Sequence, residues 1–124
     1  MIQTSMIQTS MIQTGWANSS GRKAPIQSTI PLEINPVIKH VRSAVSMARA
    51  NNKPDSGNSS FSILHGDAPH LDKTGGDGYA YAAFGTVVDG MDVVDRIANV
   101  AVAGPHRSTP VEEIAMDRVF CVSL

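Results

Sequence analysis

Four side chains able to hold a metal or move a proton stand close together in the chain: His65, Asp67, His70 and Asp72. Imidazole and carboxylate groups are zinc ligands, but zinc sites place them at characteristic spacings. His65 and His70 are separated by a turn-rich stretch containing Pro69, and no recognised metal spacing is met. Serines are plentiful, so a Ser-His-Asp set can be assembled on paper. The Gly-x-Ser-x-Gly sequence of a strained nucleophile turn is absent, however. Gly75-Gly76-Asp77-Gly78 is glycine-rich but lacks the Lys-Ser/Thr of a phosphate loop, and reads as a flexible turn. These residues predict no metal and no covalent nucleophile.

The elements that must position any site are short. The chain opens on a five-residue repeat, over 1–5, 6–10 and 11–15. Ile and Thr favour extended structure, but strand side chains alternate with period two, so the three copies cannot be equivalent positions of one flat strand. The third copy reads as a native strand and residues 1–10 as a repeat tail, with the domain proper over 11–124. Residues 15–31, rich in Gly, Ser, Asn and Pro, read as a loop. Extended segments are expected at 32–38, interrupted by Pro36, and at 44–48, 61–64 and 79–88, the last with Gly85 as a candidate bulge. Met91, Val94, Ile97 and Ala98 recur at helical spacing, and Asp89 or Asp92 is expected to serve the helix N-terminus. The alternation of Ile114, Met116, Phe120 and Val122 predicts a closing strand, although Arg118 breaks the pattern. Many short strands, long loops and one good helix point to a β-barrel or sandwich with a covering helix.

Composition narrows the function classes. The 124 residues suit one domain. Net charge is −1, with no basic stripe, and the few aromatics are scattered; nucleic acid is not an implied partner. The single cysteine, Cys121, permits no intrachain disulfide. No apolar run approaches a membrane span, and the helix is better suited to covering a barrel than to lying on a bilayer. No signal peptide is visible at the start, which favours a cytoplasmic location.

Several stretches, in order, resemble a bacterial-type cyclophilin, a peptidyl-prolyl cis-trans isomerase. Met11-Ile12-Gln13-Thr14-Gly15 is similar to the family's Met-Ile-Gln-Gly-Gly strand end. Ser46-Met47-Ala48-Arg49 resembles its strand into the active-site loop, and 55–63 the loop that ends in Ser-Gln-Phe-Phe-Ile. Leu71-Asp72 and the block 81–97 resemble the family's most recognisable region, and 110–119 its final strand. The resemblance implies a mainly β fold: a closed cyclophilin-like barrel, incomplete on its N-terminal side, with one covering helix and long loops.

It also implies the site. Gln13 becomes the catalytic-site polar group, in contact with the substrate backbone. Met11, Phe61 and Leu71 would line the proline pocket, Ala48 and Arg49 would hold the extended peptide, and Tyr81 resembles the tyrosine that takes the family's histidine position. The ligand would be a proline-containing peptide or unfolded segment, with cyclosporin-like ligands held weakly and no cofactor needed. Departures are specific. No arginine precedes Met11; Ser10 and Ser62 stand where the family has phenylalanine, Ser60 where it has glutamine, and His70 where an aromatic is usual. The expected activity is therefore low. The alternatives are a non-catalytic proline-peptide module and a remnant that self-associates through an open sheet edge.

Overall fold

The computed structural model describes residues 2–18, 28–72, 79–104 and 107–123. Among these described residues, eight strands and one α-helix follow in order: β1 Ile2–Ile7, β2 Met11–Asn18, β3 Ala44–Met47, β4 Phe61–Leu64, β5 Ala83–Thr86, α1 Met91–Ala98, β6 Val102–Ala103, β7 Thr109–Pro110 and β8 Ala115–Met116. A single turn of 3₁₀-helix spans Pro69–Leu71. Six strands form one sheet in the order β5-β3-β4-β2-β1-β8, and β6 pairs with β7. The result is mainly β with one helix, as expected.

The repeat explains its own geometry. Residues 1–10, read above as a tail, contribute β1 to the sheet, hydrogen-bonded to β2 on one side and β8 on the other. A period of five cannot keep step with a strand period of two, and the β1–β2 pairing slips twice, between Ile2 and Thr4 and between Thr4 and Met6. The second copy carries the hairpin turn, where the Gln8 N–H donates to the Met11 carbonyl over 2.8 Å.

Because β-strand side chains alternate, the central sheet has two distinct faces. Opposite residues share a face, so the rows Met11–Leu64 and Gln13–Ser62–Ser46 belong together, and Ile12–Ile63–Val45 and Thr14–Phe61–Met47 point the other way. One core gathers Ala44, Leu64, Ala68 and Leu71, with Met11 and Tyr81 against it. The other gathers Ile7, Ile12 and Val94, with Ile63, Met91, Ile97 and Ile114 packed around them. Helix α1 covers this second core through the apolar stripe its spacing predicted.

Four local expectations are corrected. Residues 32–38 form no strand, and the chain turns over 35–38: Asn35 accepts the Val37 N–H on its side chain and the Ile38 N–H on its carbonyl, an Asx-type turn at the Pro36 interruption. The strand expected over 79–88 keeps only Ala83–Thr86, and its pairing with β3 skips Phe84 next to Gly85, a bulge. The closing strand is reduced to Ala115–Met116, leaving Val119, Phe120 and Val122 exposed. Neither Asp89 nor Asp92 caps α1; Gly90 holds that position at φ +89°, a left-handed conformation suited to glycine.

Candidate functional site

The site is assembled by strand register. On β2, β4 and β3, the cross-strand row Gln13–Ser62–Ser46 lies beside the row that contains Met11 and Leu64. The 3₁₀ turn, which starts at Pro69, brings His70 and Leu71 over the end of this face, and the Tyr81 N–H donates to the Leu71 carbonyl over 3.0 Å. These elements enclose a groove of about 760 Å³. Met11, Gln13, Ala48, Arg49, Leu71 and Tyr81 all line it, together with Ser62 and Ser46. Phe61 does not. The register turns it to the opposite face of β4, across from Thr14 and Met47.

Arg49 is held at the groove wall. Its guanidinium donates to the carbonyls of Ala50 at 3.1 Å, Tyr79 at 3.1 Å and Ala80 at 3.2 Å. The same group lies 4.2 Å from the centroid of the Tyr81 ring, a cation–π contact. Arg49 and Met47 also line a second, more apolar hollow of about 470 Å³, bounded by Ile30, Ile34 and Phe84. They form the partition between the two cavities.

Beneath the groove runs a buried polar chain that sequence reasoning did not find. His40 is 2 % exposed. Its Nδ1 lies 2.8 Å from Oδ1 of Asp72, and its backbone N–H donates to the same oxygen over 2.9 Å. Its Nε2 lies 2.8 Å from Oγ of Ser46. Burial pushes the Asp72 carboxyl upward, but the hydrogen bonds from the His40 ring and backbone, with electrostatic attraction from His40 and Lys39, outweigh it and leave the pKa below its ordinary value. An ionised carboxylate only accepts, so Nδ1 carries a hydrogen. The Ser46 hydroxyl then has two acceptors for one hydrogen: Nε2 at 2.8 Å when the ring is neutral, and the Ala82 carbonyl at 3.2 Å when it is not.

Asp72–His40–Ser46 has the connectivity of a hydrolytic triad, but lacks the electrostatics of one. In acyl transfer the N–H of the residue after the nucleophile commonly stabilises the oxyanion. Here the Met47 N–H is already donated to the Ala82 carbonyl over 2.9 Å. Ser46 itself is 2 % exposed in mid-strand. The acidic and imidazole groups considered for a metal are also dispersed: Asp67 accepts the Arg42 backbone N–H, and His65 bonds the Gln8 carbonyl. No group of three or more potential ligands forms among the described residues.

A family model described as cyclophilin type peptidyl-prolyl cis-trans isomerase/CLD matches residues 1–119. The chain belongs to the cyclophilin family. It is 37 % identical over 101 residues to peptidyl-prolyl cis-trans isomerase B of Escherichia coli, covering 78 % of this chain and 58 % of that protein. It is 38 % identical over 112 residues to a peptidyl-prolyl cis-trans isomerase of Arabidopsis thaliana, covering 85 % of this chain and 45 % of the relative. The chain thus spans about half the length of these cyclophilin relatives. Among solved structures, a Cryptosporidium parvum cyclophilin crystallised in the presence of the dipeptide Ala-Pro superimposes with a TM-score of 0.63 at 25 % identity, over 89 % of this chain and 70 % of that one.

His40 left little trace in the sequence, because its partners are recruited from the 3₁₀ turn and from β3, and only the fold brings them together. The one available signal was the Leu71-Asp72 pair within the cyclophilin-like stretches.

Proposed function

We propose that this cyclophilin takes X-Pro segments of peptides into the groove and catalyses their cis-trans isomerisation at a reduced rate. The observation that supports this most directly is that Met11, Gln13, Leu71 and Tyr81, drawn from separate parts of the chain, line one groove. The barrier to rotation about a peptide bond is about 18–20 kcal/mol, because the C–N bond has partial double-bond character. No bond is made or broken, so neither nucleophile nor cofactor is required. Catalysis needs an apolar grip on the proline ring while the preceding carbonyl swings, and a donor that favours the twisted amide over the planar one.

Met11 and Leu71 supply the grip. The Gln13 amide, on the same face, is placed to hold the substrate backbone. Among the described residues Arg49 is the arginine of the groove wall, and its guanidinium serves carbonyls of its own chain. A donor aimed at the prolyl nitrogen is worth on the order of 10²–10³ in rate, and an Arg49 engaged with its own backbone carbonyls supports the reduced rate. Ser62, where the family resemblance places phenylalanine, puts a small polar side chain in place of an aromatic ring at the groove.

A proline-isomerisation assay on a short Ala-Pro peptide tests this reading. Measurable acceleration that falls on Gln13→Ala is the expected result; acceleration unchanged in both Gln13→Ala and Arg49→Ala would sink the site assignment. The commitment of Arg49 also favours a second reading, a module that binds proline peptides without catalysis. Saturable binding with no acceleration would select it.

A further inference from the structure

We infer that Asp72–His40–Ser46 is a positioning relay that fixes the groove walls and sets which way the Ser46 hydroxyl points beneath the bound peptide. Its peptide-binding consequence rests on the function proposed above; its structural consequence does not.

The relay reaches three sides of the groove. Asp72 closes the 3₁₀ turn, its N–H donating to the Pro69 carbonyl over 3.1 Å, and so it holds Leu71. His40 is fastened to the same region a second time, because its carbonyl accepts the Ala68 N–H over 2.8 Å. Ser46 belongs to β3 and lies in the row with Gln13 and Ser62. Its alternative acceptor, the Ala82 carbonyl, adjoins Tyr81 and also receives the Met47 N–H. One buried imidazole thus ties the turn bearing Leu71, the strand leading to Ala48 and Arg49, and the segment bearing Tyr81.

The carboxylate fixes the tautomer. With Asp72 ionised, Nδ1 keeps its hydrogen, and a neutral ring draws the Ser46 hydrogen toward Nε2 and away from Ala82. An amide at position 72 can donate as well as accept. Where it turns its N–H onto Nδ1, giving up the bond from the His40 backbone N–H, it allows the other tautomer, with Nε2–H donating to Ser46 and the Ser46 hydrogen turned onto Ala82. A purely structural pair would lose packing on substitution; a relay would act on Ala82 and Tyr81 through Ser46.

The test compares Asp72→Asn, Ser46→Ala, the double variant and Ser46→Thr, each checked for cooperative unfolding. The resonances read are the Leu71 methyls, the Tyr81 ring and the Ala82 carbonyl. Affinity for a short Ala-Pro peptide is read alongside. The expected result is that Asp72→Asn shifts the Tyr81 and Ala82 signals in the parent but not when Ser46 is already alanine, and that Ser46→Thr restores them. Affinity should fall about three- to tenfold in either single variant, and no further in the double. Tyr81 and Ala82 signals that ignore both single variants, or that respond to Asp72→Asn equally in both backgrounds, overturn the relay. Should the parent protein not bind the peptide at all, the proposed function fails, and the relay is still decided by the resonances.

Discussion

The two faces of the central sheet solve the burial problem differently. The face under α1 is mainly apolar, with Ile7, Ile12 and Val94 meeting Ile63, Met91 and Ile97, and the buried Thr14 hydroxyl in the neighbouring row. The groove face sets a small apolar core, centred on Leu64, beside the buried hydroxyls of Ser46 and Ser62 and the His40 imidazole. Buried polar groups stabilise only when they are hydrogen-bonded, so the groove face has less tolerance to change than an apolar one; in the proposed function its polar wall is what meets the peptide backbone. The helix face carries less of that demand, with Thr14 the buried polar side chain on it among the described residues. Substitutions there should change stability alone, whereas those on the groove face should change stability and binding together.

Leu64→Ala gives the largest expected effect. Leu64 is 0 % exposed and contributes to the core beneath Met11 and Leu71. Its truncation should lower unfolding free energy by about 2–5 kcal/mol in denaturant titration and weaken peptide binding as well. Val94→Ala, on the opposite face, should cost roughly 1–3 kcal/mol. Peptide affinity of the folded fraction should stay unchanged. A Val94 variant that weakens binding as strongly as the Leu64 variant would erase the distinction between the faces.

Acid separates the faces in another way. The Asp72 carboxyl titrates below its ordinary value of 3.8 in the folded protein. A depressed carboxylate contributes stability that is fully present above the unfolded value and is lost as pH falls through the folded one. Unfolding free energy should therefore decline below about pH 4. Part of that decline should vanish in Asp72→Asn. Asp95 is depressed too, mainly by its hydrogen bond to Arg42, against a smaller opposing effect of burial. The Asp95 part should shrink in high salt, whereas the part carried by the sheltered Asp72–His40 pair should persist.

Legibility in the sequence follows the same division. β4 and α1 match their expected spans, because alternation and helical spacing act over adjacent residues. β3 was nearly as clear. Residues 32–38 misled, since apolar Leu32, Ile34 and Ile38 suggested a strand while Asn35-Pro36 dictated a turn. The C-terminal alternation also promised more than it gave. Only Ala115 and Gln3, and Met116 and Ile2, find each other across the sheet. That Met11, Gln13, Leu71 and Tyr81 would share one groove was legible because each sits in a motif resembling the family's; their roles in it belong to the proposed function. His40 was not, because what makes it special is a carboxylate 32 positions away and a strand hydroxyl, a relation that no local pattern encodes.

The smallest expected effect concerns the ion pair that spans the two halves. Arg42, just before β3, donates to both carboxylate oxygens of Asp95 on α1, at 2.6 and 2.7 Å, and also to the His65 carbonyl. The geometry is bidentate, which favours it over an ordinary surface pair. Its side chains are 47 % and 42 % exposed, however, so water and salt compete with it directly. Asp95→Asn keeps the shape and removes the charge. It should leave peptide affinity unchanged and shift the unfolding midpoint slightly at low ionic strength, with the shift fading as salt is raised. If the substitution instead weakened peptide binding, α1 would have to be transmitting its position to the groove through Arg42 and the start of β3, and the two faces would be one mechanical unit.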